Sequence, residues 1–172
     1  MAGSLIKIDE QIASSDSQIN FQQKLTSTYN VYKLIGKNIT LSDDSALVYL
    51  RVMNDSTVRA TSNYDKAGKL LKADTTFGNA SGTGNTHWYL DMQLGTSTGE
   101  VGNFTAYLFN FMNSSEYSFL TMESTFRNHL GVLQGYQGGG VYDTAEENNG
   151  ISILASAGTI SSATFTLYGL KK

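Results

Sequence analysis

Apolar and polar residues alternate with a period of two over most of this chain. In residues 46–53, Val48, Leu50 and Val52 share one face while Leu47, Tyr49, Arg51 and Met53 share the other, which is the period of a β-strand. Residues 86–94 repeat the pattern more cleanly, with Trp88, Leu90, Met92 and Leu94 set against His87, Tyr89, Asp91 and Gln93. Residues 103–112 are apolar on both faces, Phe104, Ala106, Leu108 and Met112 on one and Tyr107, Phe109 and Phe111 on the other, so this strand is expected to be central or covered twice. Residues 162–170 alternate Ala163, Phe165 and Leu167 with Thr164, Thr166 and Tyr168. With 4–12, 18–23, 29–40, 117–126, 130–136 and 151–157, about ten strands are expected. The predicted core contains Leu50, Val52, Trp88, Leu90, Met92, Leu108, Phe165 and Leu167.

Turn-forming clusters punctuate these runs: 78–84 (Gly-Asn-Ala-Ser-Gly-Thr-Gly), 95–102, the three glycines 138–140, and Asn148-Asn149-Gly150. Short strands at this spacing predict an all-β, antiparallel β-sandwich of jelly-roll type with about eight to ten strands. At most two short helices are expected. One is residues 63–72, with Ala67, Leu70 and Leu71 on one side despite Gly68, and the other is a single turn capped by Asp143. No break in composition divides residues 1–172, which read as a single domain.

Composition narrows the chemistry. The 172 residues include no cysteine, which removes thiol nucleophiles, disulfides and Cys-ligated zinc together. Twelve Lys and Arg against fifteen Asp and Glu give a net charge of -3 with no basic cluster, so no nucleic-acid partner is expected. Charged residues are only 16% of the chain; 19 Ser, 18 Thr and 13 Asn supply the polarity instead. Residues 1–10 hold no uninterrupted apolar core of a signal peptide, and no run approaches the length of a membrane span, so no membrane insertion is expected. The first expected strand begins by Ser4, leaving no room for a separate N-terminal shaft.

Chemistry-bearing constellations are sparse. No Gly-Xaa-Ser-Xaa-Gly elbow and no histidine spacing suited to zinc occurs, and His87 and His129 read as ordinary hydrogen-bonded side chains. Asp91, Glu100, Glu116 and Glu123 are the acids that a glycosidase would have to pair across a groove, and nothing local pairs them. The oxygen-rich stretches Asp43-Asp44-Ser45 and Asn54-Asp55-Ser56 suit Asx turns better than a calcium site. The chain is therefore expected not to be an enzyme, with no catalytic residue, cofactor or metal site. Ten Tyr and eight Phe remain. Tyr49, Tyr89, Tyr107 and Tyr136 are predicted on faces opposite the core, as interface or glycan-stacking residues, with the low charge favouring interfaces.

Several stretches together resemble a known family. Met1-Ala-Gly-Ser-Leu-Ile-Lys-Ile-Asp-Glu10, residues 29–35 (Tyr-Asn-Val-Tyr-Lys-Leu-Ile), 116–120 (Glu-Tyr-Ser-Phe-Leu), 138–141 and above all the close at 158–172 are similar to short virion-associated structural proteins of marine tailed phages, especially cyanophages. Related stretches end some longer tail-fibre-like proteins. The resemblance implies a virion component made in the host cytoplasm, an accessory protein decorating the capsid or attached to the tail. Its implied partners are other virion proteins and copies of itself. Sparse charge and surplus aromatics make a homo-oligomer, a trimer in particular, the expected assembly. The alternative is a receptor- or glycan-binding module of a tail fibre that takes a host surface glycan. The family brings no catalytic motif to these residues.

Overall fold

A computed structural model describes residues 4–170 and places thirteen strands among them. The first seven are β1 (Leu5–Asp16), β2 (Gln18–Phe21), β3 (Val31–Leu41), β4 (Ala46–Asn54), β5 (Thr57–Val58), β6 (Tyr64–Lys72) and β7 (Gly78–Asn85). The rest are β8 (Trp88–Leu94), β9 (Gly102–Phe109), β10 (Ser118–Arg127), β11 (Leu133–Tyr142), β12 (Gly150–Ala155) and β13 (Ile160–Leu170). All ten expected strands are present, and the three additional ones are β5, β6 and β7.

Two antiparallel sheets pack face to face. The larger runs β1-β13-β3-β9-β10-β11-β6-β7; the smaller runs β2-β12-β4-β5, with β8 also pairing β4. Pairing of β1 with β13 and of β2 with β12 nests the chain from its outside inward, as in a jelly roll, whereas β9, β10 and β11 form a simple meander. Alternation does the packing. On β4, Val48, Leu50 and Val52 are buried, and on β10, Leu120, Met122 and Phe126 are buried while Phe119, Thr121, Glu123 and Thr125 point away. Every predicted core residue lies fully inside: Leu50, Val52, Trp88, Leu90, Met92, Leu108, Phe165 and Leu167.

Both expected helices are corrected. Residues 63–72 form β6, because its backbone is claimed on both sides: Gly138 pairs Gly68 from β11 and Ala80 pairs Gly68 from β7. A three-residue apolar stripe around a glycine holds no helix against two ladders of hydrogen bonds. No helical turn forms after Asp143. Glu146 instead stretches across to accept two hydrogen bonds from Arg59 (3.0 and 2.8 Å) and one from the Tyr142 hydroxyl (3.0 Å).

Two glycine clusters expected as turns are also strand. Residues 78–85 form the edge strand β7, and Gly138 to Gly140 run through the middle of β11. The β11 glycines let aromatic rings come down onto the backbone. A Cβ on Gly138 would run into the Tyr136 hydroxyl, one on its neighbour Gly68 would lie 2.5 Å from the same atom, and one on Gly140 would reach 2.6 Å from the Trp88 indole. Tyr136 and Trp88 thus occupy space that side chains would otherwise fill.

Candidate functional site

The outer face of the larger sheet is open across its centre. Strand register arranges its side chains in rungs. Val31, Phe109, Phe119 and Val141 form an apolar rung across β3, β9, β10 and β11. The next contains Lys33, Tyr107, Thr121, Gly139 and Ala67, and the one after it Ile35, Thr105, Glu123, Gln137 and Lys69. Tyr107 is 36% exposed and Phe119 42% exposed, high values for aromatic residues on central strands. Strand β9 is therefore central, as expected, but covered on one face only.

Small residues break these rungs and open hollows between the larger side chains. Gly139 and Ala67 floor a groove of about 500 Å³ walled by Phe109, Phe119 and Val141. Thr121 forms the boundary to a second, of about 280 Å³, between Tyr107, Thr105, Glu123 and Gln137. Beyond Glu123 the face continues into hollows of about 440 Å³ over Gly135 and Leu71, beside the exposed Phe77, and about 320 Å³ between Ile35, Asn103 and Thr125. Glu123 borders three of the four. Its Oε1 accepts a hydrogen bond from Gln137 Nε2 at 2.9 Å, which orients the carboxylate on the sheet. Lys33 lies 5.3 Å from the Tyr107 ring centre and Lys69 is bonded to Asn79, while Lys37 and Lys72 line the hollows beyond Glu123.

Of the four tyrosines singled out in the sequence, only Tyr107 lies on this face. Tyr136 is 1% exposed, which corrects its assignment to a surface face. Residues 138 and 140, which would have revealed the buried phase of β11, are glycines and carry no hydropathy signal. Tyr49 and Tyr89 are half-buried on the smaller sheet, where Tyr49 stacks on His87 with ring centres 3.7 Å apart and meets Tyr89 edge-on at 4.9 Å. Burial, reinforced by the charges of Arg51 and Lys66, holds the His87 imidazole down to about 4.

Beside this aromatic group lies a polar pair between the sheets. In β8, Leu90, Asp91 and Met92 stand opposite Val48 alone, and Asp91 adopts a left-handed φ of 51° within that bulge. The bulge turns Asp91 toward Lys66 on β6, and the two form an ion pair in which the Lys66 side chain is only 6% exposed. The Lys66 ammonium also lies 4.7 Å from the Tyr89 ring centre and 5.4 Å from that of Tyr136. Burial, and secondarily the Asp91 charge, pushes the Tyr136 phenol up to about 12, and its hydroxyl is buried with no hydrogen-bond partner.

The remaining acids are scattered. Glu100 is buried and accepts a hydrogen bond from the Ser97 amide at 2.9 Å, while Glu116 is exposed in the turn before β10. Asp55 accepts hydrogen bonds from Gln23 and Asn149, which hold its carboxyl below the usual range, and Asp43 accepts one from Ser42. Among the described residues no three His, Asp or Glu side chains cluster as a metal site would require. The open-face residues Phe109, Phe119, Thr121 and Gln137 were not singled out from sequence. The two-sided apolar character of 103–112 was the available signal for Phe109.

No family model matches the chain. No curated protein matches it either. Among solved structures, it aligns with a fructofuranosidase of Schwanniomyces occidentalis complexed with fructosylnystose, at 6% identity and a TM-score of 0.25, covering 98% of this chain and 34% of that one. The chain thus spans about a third of the enzyme's length. It also aligns with the CBM2 module of an evolved Dit of Lactobacillus casei BL23 phage J-1, at 9% identity and a TM-score of 0.27, covering 95% of this chain and 69% of that module. Against the expectation that the chain is not an enzyme, the first of these neighbours is a fructofuranosidase, and that expectation is not carried further. At these TM-scores neither neighbour transfers an activity or a ligand to this chain.

Proposed function

We propose that this chain is a virion-associated binding module of a tailed phage, attached to the tail, and that the outer face of its larger sheet takes a host surface glycan. The observation that carries the reading is the run of contiguous grooves centred on Glu123 and walled by the exposed rings of Tyr107 and Phe119. Sugars present an apolar ring face and a rim of hydroxyls. A half-exposed aromatic beside fixed uncharged hydrogen-bonding groups matches both, and here those groups are Thr105, Thr121 and Gln137. The resemblance to virion-associated proteins supplies the setting, and the long antiparallel sheet supplies a rigid platform that needs no rearrangement to bind.

Quantitative mass spectrometry of purified particles, combined with titration of the purified chain against host lipopolysaccharide, tests the proposal. A few copies per particle and saturable binding that weakens in Tyr107→Ala and Gln137→Ala are expected. Absence from the particle removes the virion assignment. Copy numbers near the capsid subunit count, with no polysaccharide binding, favour a decorating structural protein instead.

A further inference from the structure

We propose that the outer-face groove selects N-acetylated sugars over their unacetylated counterparts, with Phe119 providing the wall against which the acetamido methyl packs. This inference rests on the glycan-binding reading above and specifies its ligand class.

The argument begins with the unequal chemistry of two adjoining hollows. The one beside Phe119 is walled by Phe109 and Val141 and floored by Gly139 and Ala67; Asp65, whose carboxylate already accepts from the Gly84 amide, and Thr83 also line it, but most of its exposed lining is carbon. A sugar hydroxyl entering it gives up water and finds few partners, whereas a methyl group gives up nothing. Its neighbour beyond Thr121 also has carbon on its walls, from Tyr107 and Met122, but adds Thr105, Gln137 and the Glu123 carboxylate and is the more polar of the two. The Thr121 side chain borders both, so an amide whose methyl sits against Phe119 has a hydroxyl at the boundary to hydrogen-bond. A ligand with one apolar substituent and otherwise hydroxyls suits both hollows at once, and an N-acetylhexosamine chain is such a ligand.

Spacing requires a chain. Phe119 and Glu123 point the same way from β10, four residues and therefore about 13 Å apart. One pyranose ring does not reach from one to the other. The carboxylate, already oriented by Gln137, then serves a different sugar unit from the one whose acetyl group Phe119 contacts.

Chitotetraose and cellotetraose share a β-1,4 glucose backbone and differ by the acetamido group, so isothermal titration of the full chain with each is the test. Chitotetraose is expected to bind at least roughly tenfold more tightly, the discrimination of one small apolar group in an apolar pocket. Phe119→Ala is expected to reduce chitotetraose to the cellotetraose level. Glu123→Gln is expected to weaken both by the same factor and leave the preference intact. Phe119 is an exposed side chain, so its truncation leaves the core untouched, which thermal unfolding verifies. Equal affinities, or a Phe119→Ala effect identical for both sugars, overturn the selection while glycan binding stands. Binding of neither tetrasaccharide also overturns it, and titration with host lipopolysaccharide then decides whether the glycan reading survives. Concentration-dependent dimerisation that Phe119→Ala abolishes, with no sugar bound, assigns the face to a second copy and overturns both.

Discussion

Gln137 faces Glu123 directly in the β10–β11 ladder and donates a hydrogen bond from Nε2 to Oε1 at 2.9 Å. The bond spans an exposed surface, so its worth is geometric more than energetic. Gln137→Ala is expected to change the unfolding free energy by less than about 0.5 kcal/mol, as is usual for surface substitutions. The same variant is expected to weaken lipopolysaccharide binding. Urea titration and isothermal titration on one preparation measure both quantities, and a large loss of stability would show that the pair belongs to the fold.

The Lys66–Asp91 pair is expected to behave in the opposite way. Asp91→Ala leaves a buried ammonium without its partner, a change costing on the order of 3 kcal/mol, and Lys66→Met alone is expected to cost less because Asp91 is nearer the surface. Combining Lys66→Met with Asp91→Ala is expected to cost less than the sum of the two single losses. A double-mutant cycle read by urea midpoint checks the coupling, and additive losses would contradict it.

Tyr136 supplies a third test. Its hydroxyl is buried without a partner, so Tyr136→Phe is expected to be at least as stable as the parent. Gly138→Ala is expected to destabilise by about 1–3 kcal/mol, because the new Cβ would meet both the Tyr136 hydroxyl and the Ala67 carbonyl. Thermal unfolding of the two variants should move in different directions.

His87 makes stability depend on pH. Its imidazole is held near 4 when folded against about 6.5 when unfolded, so protonation favours the unfolded chain. The associated stability is fully present above about pH 6.5 and is lost as pH falls toward 4. His87→Phe preserves a ring against Tyr49 and removes the titration. Its unfolding free energy is expected to fall less than the parent's between pH 6.5 and 4.5, and parallel curves would refute the assignment.

The fold was legible wherever side chains alternate in character. Trp88, Leu90 and Met92 against Tyr89, Asp91 and Gln93 identify both a strand and its buried face, and the structure agrees. It was illegible where glycine replaces the informative side chain. β7 has Ala80 as its one hydrophobic residue, and β11 conceals its phase behind Gly138 and Gly140. β6 was misread for another reason, since Ala67, Leu70 and Leu71 have the spacing of a helical face, whereas the ladders with β7 and β11 place Ala67 and Leu71 on one side of a strand and Leu70 on the other. The open face was half legible. Tyr107 stood out as an aromatic on the polar phase, but the hollow beside Phe119 depends on Gly139 and Ala67 arriving from two other strands, a juxtaposition created by register.

Leu5 lies opposite Leu170 in the β1–β13 pair, so the first and last described strands run side by side along one margin of the larger sheet. A polypeptide spanning residues 4–170 is consequently only a short link away from being a ring. Backbone cyclisation would leave the native sandwich nearly unstrained while depriving the unfolded chain of the freedom of two independent ends. That entropic difference would appear almost entirely as resistance to heat and to exoproteases.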